Sequence, residues 1–173
     1  MNSDLELLLK LQVIDYDIGE LERSKEYLPD MMENLNREIR ESQTRLEETK
    51  SALEADRVKQ NQLELELKSK EADLQKYQQQ MMSIKTNKEY DALVAEIDAI
   101  KEQISNAETE LLETIERISE LEKEIGTLDE RAASIKENNT KQLGILQEKI
   151  DSIGDKMSDI ESSRKDIITS INK

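Results

Sequence analysis

Catalysis needs side chains that can carry a proton, hold a metal or attack a bond, and this chain offers them in no usable arrangement. It has no histidine and no cysteine. That removes the commonest general base and metal ligand near neutral pH, along with any thiolate site, disulfide or redox pair. Carboxylates abound, with 40 Asp and Glu against 25 Lys and Arg. Pairs such as Glu47–Glu48, however, fall on solvated helix faces rather than opposite each other across a cleft. No phosphate-cradling glycine loop, HExxH, CxxC pair or GxSxG occurs. We expect no enzyme activity, no cofactor and no metal.

The remaining chemistry is recognition. In a chain of formal charge −15, the string Lys85, Thr86, Asn87, Lys88, with Tyr90 behind it, is a small basic and aromatic contrast. A helix start there presents free backbone donors that can receive an acidic group. Leu8, Leu9 and Val13 widen an apolar face near the N-terminus and form a second candidate contact. The tip set has a plainer reading: Thr86 and Glu89 as a helix cap and the lysines as solubilising charge.

The elements that position these residues follow from composition and spacing. Charged residues make up 38% and apolar ones 35%, with no Phe or Trp, four Gly and one Pro. A compact core draws heavily on aromatics, and a chain that folds back often needs turn residues. The composition therefore leaves disorder or long helices with a narrow apolar seam, and periodicity decides. Steps of three and four run through Leu7, Leu11, Ile14, Ile18, Leu21, Lys25 and Leu28. They continue through Met32, Leu35, Ile39, Ser42, Leu46, Thr49, Leu53, Asp56, Gln60, Leu63, Leu67, Lys70, Leu74, Tyr77, Met81 and Ile84. They resume at Tyr90, Leu93, Ile97 and Ile100 and run on to Ile135 and Asn139. This is a heptad seam.

Thr86 followed by Glu89 is a capping box, as is Ser3 with Glu6. We place one arm at residues 3–84, a turn at 85–89 centred on Asn87, and a second arm at 88–173, all within one all-α, antiparallel two-stranded coiled-coil hairpin spanning 1–173. At roughly 1.5 Å per residue each arm reaches about 125 Å. Residue numbers adding to 174 then pair Met81 with Leu93, Leu63 with Leu111, Leu46 with Leu128 and Ile39 with Ile135. The same register sets Gln60 against Thr114 and Ser42 against Ala132. It also pairs Ile84 with Tyr90.

Beyond Ile135 the spacing through Asn139, Leu143 and Leu146 is four, four, three, a stutter that unwinds the supercoil locally. From there the numbers add to 178, as in Met32–Leu146, Leu28–Ile150, Leu21–Met157 and Leu11–Ile167. Pro29 lies opposite the extra layer near Leu143 and Gly144. A proline inside a helix deletes a hydrogen bond, so a kink is expected there. Polar seam residues such as Lys70, Asp56 and Asn139 lift their polar ends toward water and fix register at a cost in stability.

The string MMSIKTNKEYDALVAEIDAI, together with LLLKLQVIDYDIGELE and the following YLP, resembles a bacterial family of coiled-coil hairpins that end in a four-cysteine zinc ribbon. The resemblance covers the whole chain. In that family the ribbon would follow shortly after Lys173; its ligands are missing here, so no zinc is expected. The resemblance implies a non-enzymatic regulator that binds an alternative sigma factor or secretion and flagellar components, with an RNA role that leans on the ribbon.

Three functional classes follow. The first is an adaptor or chaperone-like regulator that binds other proteins. The second is a structural spacer or self-associating rod, whose straight parallel dimer has no use for a capping box at its centre. The third is nucleic-acid binding, which needs a basic stripe to neutralise phosphates; only Lys85 and Lys88 hint at one. The N-terminal segment lacks a basic region followed by a continuous apolar run, so neither a signal peptide nor a membrane span is expected. The cytoplasm is the default location.

Overall fold

The computed structural model describes residues 2–171, so the last two residues of the expected second arm lie outside it. Two helices account for almost all of it, α1 at Asn2–Met81 and α2 at Asn87–Ile171. They form an antiparallel hairpin. Packing divides the chain into two units: unit one contains Met1–Gln43 and Arg131–Lys173, and unit two contains Thr44–Glu130.

In unit two the seam falls where the spacing places it. Leu46, Leu53, Leu63, Leu67, Leu93, Ile97, Ala107, Ile118 and Leu128 are buried, and the positions between them are at least half-buried. Thr114 is fully enclosed. Its hydroxyl donates to the Glu110 carbonyl one turn back at 2.8 Å, so the buried oxygen is satisfied within its own helix.

Cross-helix ion pairs run in opposite order along the two helices: Arg45 with Glu124 at 3.7 Å, Arg57 with Glu122 at 3.0 Å and Lys59 with Glu110 at 2.8 Å. Each is about half exposed, so each contributes at most about 1 kcal/mol and mainly selects the register. Two polar seam residues find partners across the seam as well as water. Asp56 meets Arg117 at 3.5 Å, and the Lys70 ammonium donates to Gln103 at 2.7 Å.

In unit one Leu28, Leu146 and Ile153 form a buried cluster, with Leu21, Met31, Met32, Leu35, Ile150 and Met157 packed against it. Its members include residues that add to 178, as Met32 with Leu146 and Leu28 with Ile150, and residues that add to 174, as Leu28 with Leu146. Immediately above them Asn139, only 6% exposed, donates to the Leu35 backbone carbonyl at 3.0 Å and to a Glu38 carboxylate oxygen at 2.9 Å. That contact obeys the 174 register, and the four, four, three spacing of α2 puts the change of step between Asn139 and Leu146. Helix α1 accommodates it by presenting neighbours in pairs: Met31 with Met32, then Leu35 with Asn36, all half-buried.

Two positions of unit one differ from expectation. Lys25 is exposed and Ser24 takes its place, because near the change of step a small polar side chain fits the strip better than an ammonium. Gly144 is exposed, and a Cβ there would meet nothing within 4 Å, so Leu143 alone fills the extra layer.

Helix α1 is assigned without a break through Pro29. Proline leaves the Lys25 carbonyl without its usual donor. Both residues are exposed, so water can serve that carbonyl. Pro29→Ala restores the bond and should stabilise the chain by about 1 to 3 kcal/mol while relieving any bend. A thermal melt checks this, and a fall in Tm would show that the proline is required by the packing.

Asn139→Leu should raise the melting temperature, since a buried leucine contributes about 1.5–3 kcal/mol of apolar burial. The same change should loosen the site of the step. In the parent a cysteine at Ser42 should form a disulfide with one at Ala132. In the Asn139→Leu background a cysteine at Lys136, one turn further on, should compete for it. Trapping confined to position 132 in both backgrounds would show that Asn139 does not hold the register.

Candidate functional site

The hairpin tip is shifted from its expected place. Helix α1 ends at Met81, three residues before Ile84, and the connection is residues 82–86 rather than 85–89. The last turn tightens: Met82 N–H donates to the Gln79 carbonyl at 3.2 Å and Ser83 N–H to that of Gln80 at 3.0 Å. Such three-residue bonds close a helix end. Thr86 is the N-cap of α2, its hydroxyl accepting from Glu89 N–H at 3.2 Å and its carbonyl from Tyr90 N–H at 3.1 Å. Since the cap precedes the first helical residue, Asn87 and Lys88 are already helical. Half-buried Ile84 sits in the connection between the two helix ends.

Around this turn Lys85, Thr86, Asn87 and Lys88 are all exposed, and neither lysine joins an ion pair among the described residues. Tyr90, read as a seam position opposite Ile84, is 49% exposed. Because the turn starts earlier, half-buried Met81 and buried Leu93 are the helical seam positions nearest to it. Met82, 89% exposed, is an apolar side chain standing in water beside the two lysines. The seam reading passed over Met82 because it lies outside the three-and-four rhythm. Its only signal was the adjacent Met81–Met82 pair at a helix end.

Leu8, Leu9 and Val13 are more than half exposed, and Leu5 and Tyr16 share that exposure. These residues belong to unit one and the tip residues to unit two. Unit one also carries a groove between its helices, lined by Met31, Asn34, Leu35, Gln142, Ile145 and Leu146. It lies at the change of step, where α1 presents residues in pairs and exposed Ile145 stands on the outer edge of α2. Near it the Arg40 guanidinium, 2.8 Å from Glu33, holds that carboxyl below its ordinary range by hydrogen bond first and charge second. Whatever that half-exposed pair adds is present at neutral pH and lost as acid protonates Glu33.

Among the described residues no three His, Cys, Asp or Glu side chains are grouped to hold a metal, and no helix is long and apolar enough to cross a membrane. No protein-family model matches the chain, and no curated protein matches it by sequence. Two solved structures share the fold. The CT398 protein of Chlamydia trachomatis superposes with a TM-score of 0.83 at 18% identity, over 98% of this chain and 72% of that one. The HP0958 protein of Helicobacter pylori does so with a TM-score of 0.71 at 17% identity, over 97% of this chain and 71% of that one. The chain is thus similar in fold to two bacterial helical hairpins.

Proposed function

We propose that this chain is a non-enzymatic adaptor or chaperone-like regulator that binds other proteins through the hairpin tip. The observation that carries the reading is the tip itself. Met82 is almost fully exposed next to unpaired Lys85 and Lys88, with Tyr90 half exposed behind them, in a chain of net charge −15. A flexible thioether adapts to irregular apolar surfaces. The two ammonium groups and the free donors at the start of α2 suit an acidic group on the partner.

The tip string KTNKEYDAL and the opening of the chain resemble the zinc-ribbon hairpin family. On that resemblance we take an alternative sigma factor, or secretion and flagellar components, as the partner class and the cytoplasm as its location. Likeness in fold to two bacterial hairpins is compatible with this reading.

The test is a triple substitution, Met82→Ser with Lys85→Glu and Lys88→Glu. None of these side chains packs in the seam or caps α2, so stability should change by less than about 1 kcal/mol. Capture of partner proteins from a bacterial lysate should fall at least tenfold and lose its salt dependence. Capture equal to the parent would reduce the tip to a turn and move the contact elsewhere.

A further inference from the structure

Over its first thirty residues α1 carries two apolar strips, and α2 covers only one. The covered strip is Leu7, Leu11, Ile14, Ile18 and Leu21, all half-buried. Leu5, Leu9, Val13 and Tyr16 repeat the three-and-four rhythm on the opposite side, at 58%, 54%, 60% and 65% exposure. At about 100° per residue they centre roughly half a turn from the first strip. One turn later the same side carries Glu20 and Arg23, which neutralise each other in an ion pair. It then continues with Tyr27 and Met31, which line a groove whose far wall carries Ile145 together with Glu148, Lys149 and Lys156. A helix with two seams is built to pack on two helices.

The edges of the second strip say what kind of helix. Glu6 and Asp17 stand along one edge and Glu26 and Asp30 along the other, with Lys10 the one cation among them. All five are exposed, and none joins an ion pair among the described residues. Asp15, by contrast, is already bridged to Arg164 at 2.7 Å. An apolar strip rimmed by free carboxylates is complementary to an amphipathic helix with lysine or arginine beside its own apolar face. A second copy of this chain would set the same carboxylates against each other.

We infer that the second strip of α1, from Leu5 to Met31, docks a basic amphipathic helix of a partner protein as a third strand on unit one. From residue 5 to residue 31 the strip runs about 39 Å, enough for a partner helix of about seven turns. The inference rests on the protein-binding reading but not on the tip.

The probe is a fluorescent 26-residue peptide with leucine at heptad a and d positions and lysine beside them. Two controls accompany it: the same design with glutamate for lysine, and a scramble that keeps the charge but has no apolar face. Anisotropy titrations against the full chain should show binding of the lysine peptide alone, weakening as salt rises. Leu9→Asp with Tyr16→Asp should weaken it at least tenfold while circular dichroism of the chain stays unchanged. The tip triple variant should bind as the parent does. Equal binding of the scramble, or no effect of Leu9→Asp with Tyr16→Asp, would reduce the attraction to bulk charge and overturn the inference. So would sedimentation showing a peptide-free dimer that these substitutions dissolve, since a second copy would then own the strip. Loss of binding in the tip variant alone would transfer the site to the tip and leave the protein-binding reading standing.

Discussion

Two helices packed without a third layer can bury only one narrow strip each, so the fold depends on those strips staying in step for some eighty residues. An α-helix does not hold a seven-residue repeat in phase by itself, since 3.6 residues per turn drift against it. In unit two the strict repeat keeps the strips facing, with leucine and isoleucine in most layers and the flanking ion pairs running in opposite order along the helices. In unit one the repeat is broken by four residues on α2. Asn139 marks the last contact in the old register by donating to the Leu35 carbonyl. A backbone carbonyl already bonded within its own helix is an unusual acceptor to reach across a seam. Its position is set by the helix rather than by a rotamer, which makes it a firm reference point.

The groove follows from that break. While α2 takes four, four and three residues to pass from Ile135 to Leu146, α1 turns Met31, Met32, Leu35 and Asn36 inward together. The strip widens, Ile145 is left on its outer edge, and an open groove results. Pro29 adjoins this stretch with its donorless position on the exposed side. Both possible recognition surfaces thus arise where the pairing of two helices ends or changes. At the tip, the last turn of α1 leaves Met82 outside the seam. In unit one, the second strip runs into the widened groove.

Most of the seam was legible in the sequence because it rests on one local rule, the alternation of three- and four-residue steps. From Met32 to Met81 and from Leu93 to Asn139 every position read as seam is buried or half-buried. The rule fails where its phase is set by something other than the repeat. Lys25 obeyed the spacing and yet lies outside, with Ser24 half-buried in its place. Tyr90 and Ile84 obeyed it too, but the cap at Thr86 starts α2 a residue earlier than read and the helix before it closes at Met81. Two residues of the outer apolar strip, Leu9 and Val13, were visible together with Leu8 as a widening. Its continuation through Tyr27 and Met31 was not, because Glu20 and Arg23 interrupt the apolar pattern and only their mutual pairing makes that interruption neutral.

The central claim is that one hairpin holds two registers, with the step between Asn139 and Leu146. Disulfide trapping tests it most directly, with single cysteines at Leu46 or Leu28 scanned against cysteines along α2. A cysteine at Leu46 should trap best with one at Leu128. A cysteine at Leu28 should trap best with one at Ile150, midway between the two residues of its buried cluster on α2, Leu146 and Ile153. If the Leu28 cysteine instead traps best at Leu146, the 174 register runs unbroken through unit one, and the step, with the groove attributed to it, is contradicted.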